Sequence, residues 1–232
     1  MPAESLIASV SALTDEPGRL LEIVALSLKV SGAATLCAAL IGLPVGAVVA
    51  LSRGAWRQPV LVVLNALMGL PPVVVGLVVY LLLSRSGPLG VLGWLFTPTG
   101  MIFAQTLLIA PIIAALARQT IEDAHLEYRD WFDSMGLSTT ARARTLLMET
   151  RFSLLVVLLA GFGRAIAEVG AVMIVGGNIA GATRVMTTSI ALETSKGDLP
   201  IAIALGVVLL AVVLVINGLA QWLKFWRERR YG

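Results

Sequence analysis

The stretch "IVALSLKVSGAATLCAALIGLPVGAVVAL" runs from Ile23 to Leu51 with one charged residue, Lys29. At 1.5 Å per residue a helix of that length outreaches the ~30 Å apolar slab of a bilayer, and its apolar residues lie on every face rather than along one stripe. That is the signature of a membrane span. Working outward, four more such runs follow, at Pro59 to Ser84, Gly100 to Ala117, Phe152 to about Gly177 and Leu199 to Leu223. The composition agrees, with 58% hydrophobic residues, 13% charged residues and a mean hydropathy of +0.92, against roughly 25% charged in a soluble domain. Because only helices satisfy every backbone group within one segment in lipid, the fold class is all-α, a polytopic integral membrane protein of about five transmembrane helices. The expected organisation is an extracytoplasmic segment 1–22, one transmembrane domain 23–223 interrupted by a cytoplasmic loop 118–151, and a basic tail 224–232.

Several classes are excluded. A net charge of +3 and a pI of 9.4 do not point to nucleic acid, since the basic residues sit beside apolar runs, where they set orientation and meet anionic lipid. The single cysteine, Cys37, lies inside an apolar run and offers neither a disulfide framework nor a Cys-based metal site. "MPAESLIASVSALTDEPGRL" lacks the basic start and short apolar core of a cleaved signal peptide, so the first span is expected to serve as the targeting signal. An intramembrane enzyme would need a nucleophile with a base, or metal ligands, at membrane depth. The one histidine, His125, falls in the cytoplasmic loop, and neither H-E-x-x-H nor G-x-S-x-G occurs.

Orientation follows from the basic residues of the connections. With the N-terminus outside, the inner side holds Arg53 and Arg57, then Arg118, Arg129, Arg142, Arg144 and Arg151, then Lys224, Arg227, Arg229 and Arg230. The outer side holds only Arg19, Arg85, Arg184 and Lys196. The asymmetry places the N-terminus out and the C-terminus in.

An island of charge, "EYRDWFDSMGLSTTARARTLLMETRFSLL" from Glu127 to Leu155, therefore faces the cytoplasm. Ile121, Ala124, Tyr128, Trp131, Phe132 and Met135 recur at helical spacing, and Glu122, Asp123, Glu127, Arg129, Asp130 and Asp133 occupy the other face. This pattern predicts an amphipathic surface helix ending at Gly136 in a left-handed turn, with Leu137 packing back near Phe132. Ser138 or a following threonine is placed to cap a second helix, basic through Arg142 and Arg144, that runs nearly continuously into the fourth span as a stiff lever. A helix presenting aromatic and apolar residues fits a groove on a soluble partner.

This loop resembles the cytoplasmic "EAA" loop of ATP-binding-cassette importer permeases. Asp130 falls on the acidic position, Trp131 and Phe132 on the two alanines and Gly136 on the glycine. Leu146 to Glu149 fall on Ile-x-Leu-Pro. Aromatics replace the alanines, and the proline is absent. "GLPVGAVVALSR", "MGLPPVVVGLVVYLLLSRSGPLG" and "GFGRAIAEVGAVMIVGGNI" extend the likeness, the last being similar to oxyanion importers for molybdate, sulfate and tungstate. "TRVMTTSIALETSKGDLPIAIALGVVLL" looks most like the tungstate-type permease. The resemblance implies a type I importer permease of MetI-like fold in a bacterial or archaeal inner membrane, working as a homodimer. It also implies two kinds of partner, a cytoplasmic ATPase and an extracytoplasmic oxyanion-binding protein. Asp130, Trp131, Phe132, Gly136 and Leu137 would dock on that ATPase. The sequence agrees by omission, since no G-x-x-x-x-G-K-[ST] loop occurs. ATP and Mg would thus be bound by the partner, and no cofactor is expected in this chain.

Two further groups bear on the transport path. Arg164 and Glu168, four residues apart, can meet on one helix face inside the fourth span. Either Arg164 lines the path and draws an anion inward, or the two form an internal ion pair that fixes the span; an already neutralised arginine attracts an anion poorly, which favours the pair. The polar stretch after that span, read as an exposed outer loop, supplies Asn178, Thr183, Arg184, Thr187 and Thr188 as gate donors for a tetrahedral dianion. Lys29 is read as snorkelling, and Gly42 with Gly46 as a small-x-x-x-small packing pair, while Pro71, Pro72 and Pro111 interrupt their spans. A secondary carrier or channel working without ATP is the rival reading, and the cytoplasmic helix-turn-helix discriminates, because such a carrier has no need of it.

Overall fold

The pair of prolines at Pro71 and Pro72 divides what reads as one apolar run into two helices of 12 residues, α2 (Arg57–Met68) and α3 (Pro72–Leu83). Proline at the first position of α3 lacks only an N–H that would be unpaired there anyway, and Pro72 keeps the preceding Pro71 extended, at ψ 123°. The structure, a computed structural model, describes residues 17–52 and 54–231, so the segment 1–16 lies outside the described residues, as do the side chains of most of the basic tail. Among the described residues the chain is helical, without strands.

Among the described residues three helices are long and apolar enough to cross a membrane: α1 (Pro17–Leu51), α4 (Pro98–Glu127) and α10 (Leu199–Tyr231). Counting each of two bent helix pairs, 57–83 and 139–166, as one span brings the number to as many as five, although residues 139–149 of the second pair were expected in the cytoplasmic loop. The boundaries differ. Helix α1 begins at Pro17, so the proposed terminal segment is partly helix, and α10 carries on through the tail. Pro111 does not interrupt α4, which runs on through it and beyond the expected end at Ala117 as far as Glu127. The remaining helices are α5 (Arg129–Ser134), α6 (Thr139–Glu149), α7 (Arg151–Ile166), α8 (Gly170–Gly176) and α9 (Met186–Lys196).

The chain divides into two compact units, to both of which α1, α4, α7 and α10 contribute residues. The first holds residues 17–34, 71–105 and 163–216 of the described chain. Val30, Met101, Val172 and Val185 form a buried cluster there. Ser27 on α1 accepts the first N–H of α9, from Met186, at 2.8 Å, and donates its own proton to Ile23 O at 2.7 Å. The second unit holds residues 35–70, 106–162 and 217–231, with Arg53 outside the described residues. Its core gathers Ala50, Ala117, Ile121, Phe132, Leu146 and Leu154. Here Gly42 and Gly46 are the packing pair expected: a Cβ on Gly46 would stand 2.6 Å from Ala114 O and 2.9 Å from Arg118 N, and one on Gly42 would stand 2.8 Å from Ala110 O. Only glycine lets α1 and α4 approach this closely.

Candidate functional site

The charged island forms a helical hairpin on the second unit, differently divided from the single amphipathic helix expected. Ile121 and Ala124 belong to the end of α4, and Tyr128 separates it from the six-residue α5. Hydrogen bonding continues through the break, from Tyr128 N–H to Ala124 O at 3.0 Å and from Phe132 N–H to Tyr128 O at 2.9 Å. Phe132 is fully buried at 0% exposure, against the expectation that it faces a partner. Its ring lies among those of His125, Tyr128 and Trp131, with centroids 6.2, 6.0 and 5.7 Å away. Of the apolar residues expected on this face Trp131 and Met135 remain outward, 52% and 54% exposed; Leu126 on α4 and Leu147 and Met148 on α6 are exposed too. Asp130 and Gly136 are exposed, and Leu137 is half-buried against the core.

The turn takes the form the sequence predicts. Gly136 has φ +62°. Leu137 N–H donates to Phe132 O at 3.2 Å and Gly136 N–H to Asp133 O at 3.2 Å, the paired bonds of a Schellman motif. Ser138 caps α6, its Oγ accepting from Ala141 N–H at 3.3 Å. The lever is not straight. Helices α6 and α7 meet at an angle of 68° at Thr150, although Thr150 N–H still reaches Leu146 O and Leu154 N–H reaches Thr150 O, both at 2.8 Å. The Thr150 hydroxyl also donates to Leu146 O at 2.7 Å.

Glu122, read as part of a solvated face, instead joins two elements. It accepts from Arg118 at 2.5 Å and from Arg57 at the start of α2. Beside it opens a cleft of about 490 Å³ lined by Ser52, Gln58, His125 and Arg129 among others.

The first unit carries the pathway candidates. Arg164 Nη1 pairs with Glu168 Oε2 at 2.6 Å, with Arg164 40% and Glu168 4% exposed, so the ion pair forms as the spacing allows. The fourth apolar run is itself broken here, between α7 and α8. Glu168 stands in the break, its Oε1 accepting Ala171 N–H at 3.3 Å and its carbonyl accepting the Thr187 hydroxyl at 2.8 Å. Gln105 Nε2 holds Ala165 O at 2.9 Å, just before the break. The expected exposed loop after this run is half helix, since α9 occupies Met186–Lys196, and Thr183, Thr187 and Thr188 are buried. Their hydroxyls are used internally. Thr183 Oγ1 donates to Gly176 O at 2.6 Å and accepts Ile179 N–H at 2.9 Å, while Thr188 Oγ1 accepts Val185 N–H at 3.1 Å. Asn178 Nδ2 donates to Thr188 O and Arg184 Nη2 to Asn178 O, each at 3.3 Å, and these two residues are half-buried.

Residues 42–229 match the family model described as the binding-protein-dependent transport system inner membrane component. The chain belongs to this family. The inner membrane component is 43% identical over 205 residues to a probable anion ABC transporter permease protein of Haloferax volcanii, a match covering 86% of this chain and 88% of that protein. It is 41% identical over 222 residues to the tungstate uptake system permease protein TupB of Peptoclostridium acidaminophilum, covering 96% and 97%. The protein of the same name from Campylobacter jejuni is 40% identical over 162 residues, covering 70% and 68%. Family and all-α membrane fold are as the sequence led one to expect. Arg57, Glu122 and Arg142 were legible only as surface or orienting charge, and Thr150 in the hairpin unit and Gln105 in the other drew no notice as site residues. The spacing of Glu122 from Arg118 at i,i+4 and an amide inside the apolar run "MIFAQTLLIAP" carried a legible signal; the reach of Arg57 to Glu122 did not.

Proposed function

We propose that this inner membrane component is the permease subunit of an ATP-driven importer for an oxyanion, with tungstate foremost and molybdate or sulfate as the alternatives. The hairpin carries the reading. A segment rich in charge buries Phe132 while leaving its neighbours Trp131 and Met135 exposed, which is the arrangement of an anchored element offering an apolar contact to a partner. That partner is a cytoplasmic ATPase, which binds the ATP and Mg, so the chain is a transporter subunit without an ATPase site of its own. The N-terminus lies outside and the C-terminus inside, by the asymmetry of basic residues. Two copies of the permease form one pathway, fed by an extracytoplasmic binding protein. The oxyanion class rests on the two relatives named as tungstate uptake permeases and the one named as an anion permease.

Within the first unit, the Arg164 and Glu168 pair sets the geometry of the break between α7 and α8. Thr183, Thr187 and Thr188 shape the gate from beneath, and Asn178 and Arg184 meet the anion. Copurification tests the whole: an ABC ATPase should come down with the chain, and tungstate delivered by its binding protein should stimulate it. Vesicles holding the permease alone that take up tungstate at full rate without ATP would refute the proposal in favour of a secondary carrier.

A further inference from the structure

Docking on an ATPase is useful only if a force on α5 reaches α6 instead of being absorbed in the turn between them. Arg142 stands at the end of the first turn of α6 and is only 16% exposed. All three of its guanidinium nitrogens are engaged. Nε donates to Leu137 O at 2.9 Å, Nη2 to Phe132 O at 3.4 Å, and Nη1 pairs with Asp133 Oδ1 at 2.7 Å. The guanidinium carbon also lies 5.8 Å from the centroid of the Phe132 ring. One planar group thus grips the last turn of α5 and the residue leaving the Schellman turn, from the helix on the other side. Its position is unfavourable for its own helix, since a cation is destabilising near the positive N-terminal end of the dipole. The carbonyls and carboxylate at the C-terminal end of α5 account for its presence there.

We propose that Arg142, with Asp133, is a positioning residue that latches α5 to α6, so that the hairpin moves as one body and bending falls to the Thr150 junction. This inference rests on the coupling role proposed above. A lysine keeps the charge but cannot place donors on two carbonyls and a carboxylate at once.

The test uses the complete complex of permease, ATPase and binding protein in proteoliposomes, with tungstate as the transported probe and ATP hydrolysed per tungstate moved as the readout. Arg142→Met is expected to raise that ratio about tenfold or more through loss of charge-assisted hydrogen bonds, and Arg142→Lys and Asp133→Asn about threefold. A merely structural role would lower yield, hydrolysis and uptake together and leave the ratio unchanged, and that result overturns the latch. Should Arg142→Met fail to assemble, the two milder variants decide, a raised ratio supporting the latch and the wild-type ratio in both overturning it. A wild-type complex that moves no tungstate, molybdate or sulfate brings down the coupling role and the latch with it. A coupled wild type with unaltered variants brings down the latch alone.

Discussion

Replacing Gly136 by valine isolates the contribution of the turn. A Cβ built on Gly136 meets nothing within 4 Å, so no clash contributes and the whole cost is conformational. The residue holds φ +62°. For an L-amino acid that conformation costs about 1 to 2 kcal/mol, with a β-branched side chain at the upper end. A penalty of that size lowers the equilibrium constant between the turned hairpin and its alternatives by a factor of roughly 5 to 30. The core contacts of Phe132 and Leu137 hold both sides of the turn in place, so the variant should insert and assemble normally while its uptake of tungstate per ATP falls within that range. Asparagine, which visits the left-handed region readily, is the control and should stay close to wild type. The assay is paired measurement of hydrolysis and uptake in proteoliposomes of the complex. Normal coupling in Gly136→Val would show that the left-handed turn is dispensable. An asparagine variant as impaired as valine would show that any side chain at this exposed position obstructs the partner, and the strain argument would fail.

Other expectations follow from the same geometry. Gly46→Ala drives a methyl against Ala114 O and Arg118 N, backbone atoms that cannot swing aside, and should cost about 1 to 3 kcal/mol in thermal unfolding of the detergent-solubilised protein. Gly218→Ala, with open space around it, should be neutral or slightly stabilising in the same measurement. Glu122→Gln leaves Arg57 and Arg118 together without their carboxylate, at side-chain exposures of 22%, and should cost about 1 to 2 kcal/mol after allowance for screening, a deficit that narrows as salt is raised. Arg184→Ala should lower tungstate uptake several-fold more than Lys29→Ala, because Arg184 is half-buried against Asn178 whereas Lys29 is exposed on α1; equal defects in radiotracer uptake would remove Arg184 from the gate.

The apolar runs told where helices lie, and Pro71 with Pro72 marked one bend, between α2 and α3, but the others were not legible. A hydropathy pattern reports no backbone angle, so the 68° bend at Thr150 left no trace in it. The turn was legible because its chemistry is local: Gly136 supplies the left-handed residue, and Ser138 caps the helix that follows. The Arg164 and Glu168 pair was legible for the same reason, being a contact within four residues. Burial of Phe132 was not, since helical spacing defines an apolar face without saying which of its members meets the core and which meets a partner. The threonines after α8 misled in the opposite sense. A stretch rich in hydroxyls reads as a solvated loop, yet hydroxyls that close onto Gly176 O, Glu168 O and the N-terminus of α9 can be buried at little cost.

The division of labour between adjacent residues bears on how a push is transmitted. Trp131 and Phe132 follow one another on α5, one exposed and one fully buried, with ring centroids 5.7 Å apart. A partner that displaces Trp131 must therefore displace a ring packed with Ala50 of α1, Ile121 of α4, Leu146 of α6 and Leu154 of α7. Close-packed interiors do not absorb such displacements continuously, so under the proposed coupling the motion would pass to the helices rather than dissipate in the loop. Aromatics at both positions suit that task. An alanine at 132 would leave a cavity beneath the contact, and the docking surface would then move without moving the core.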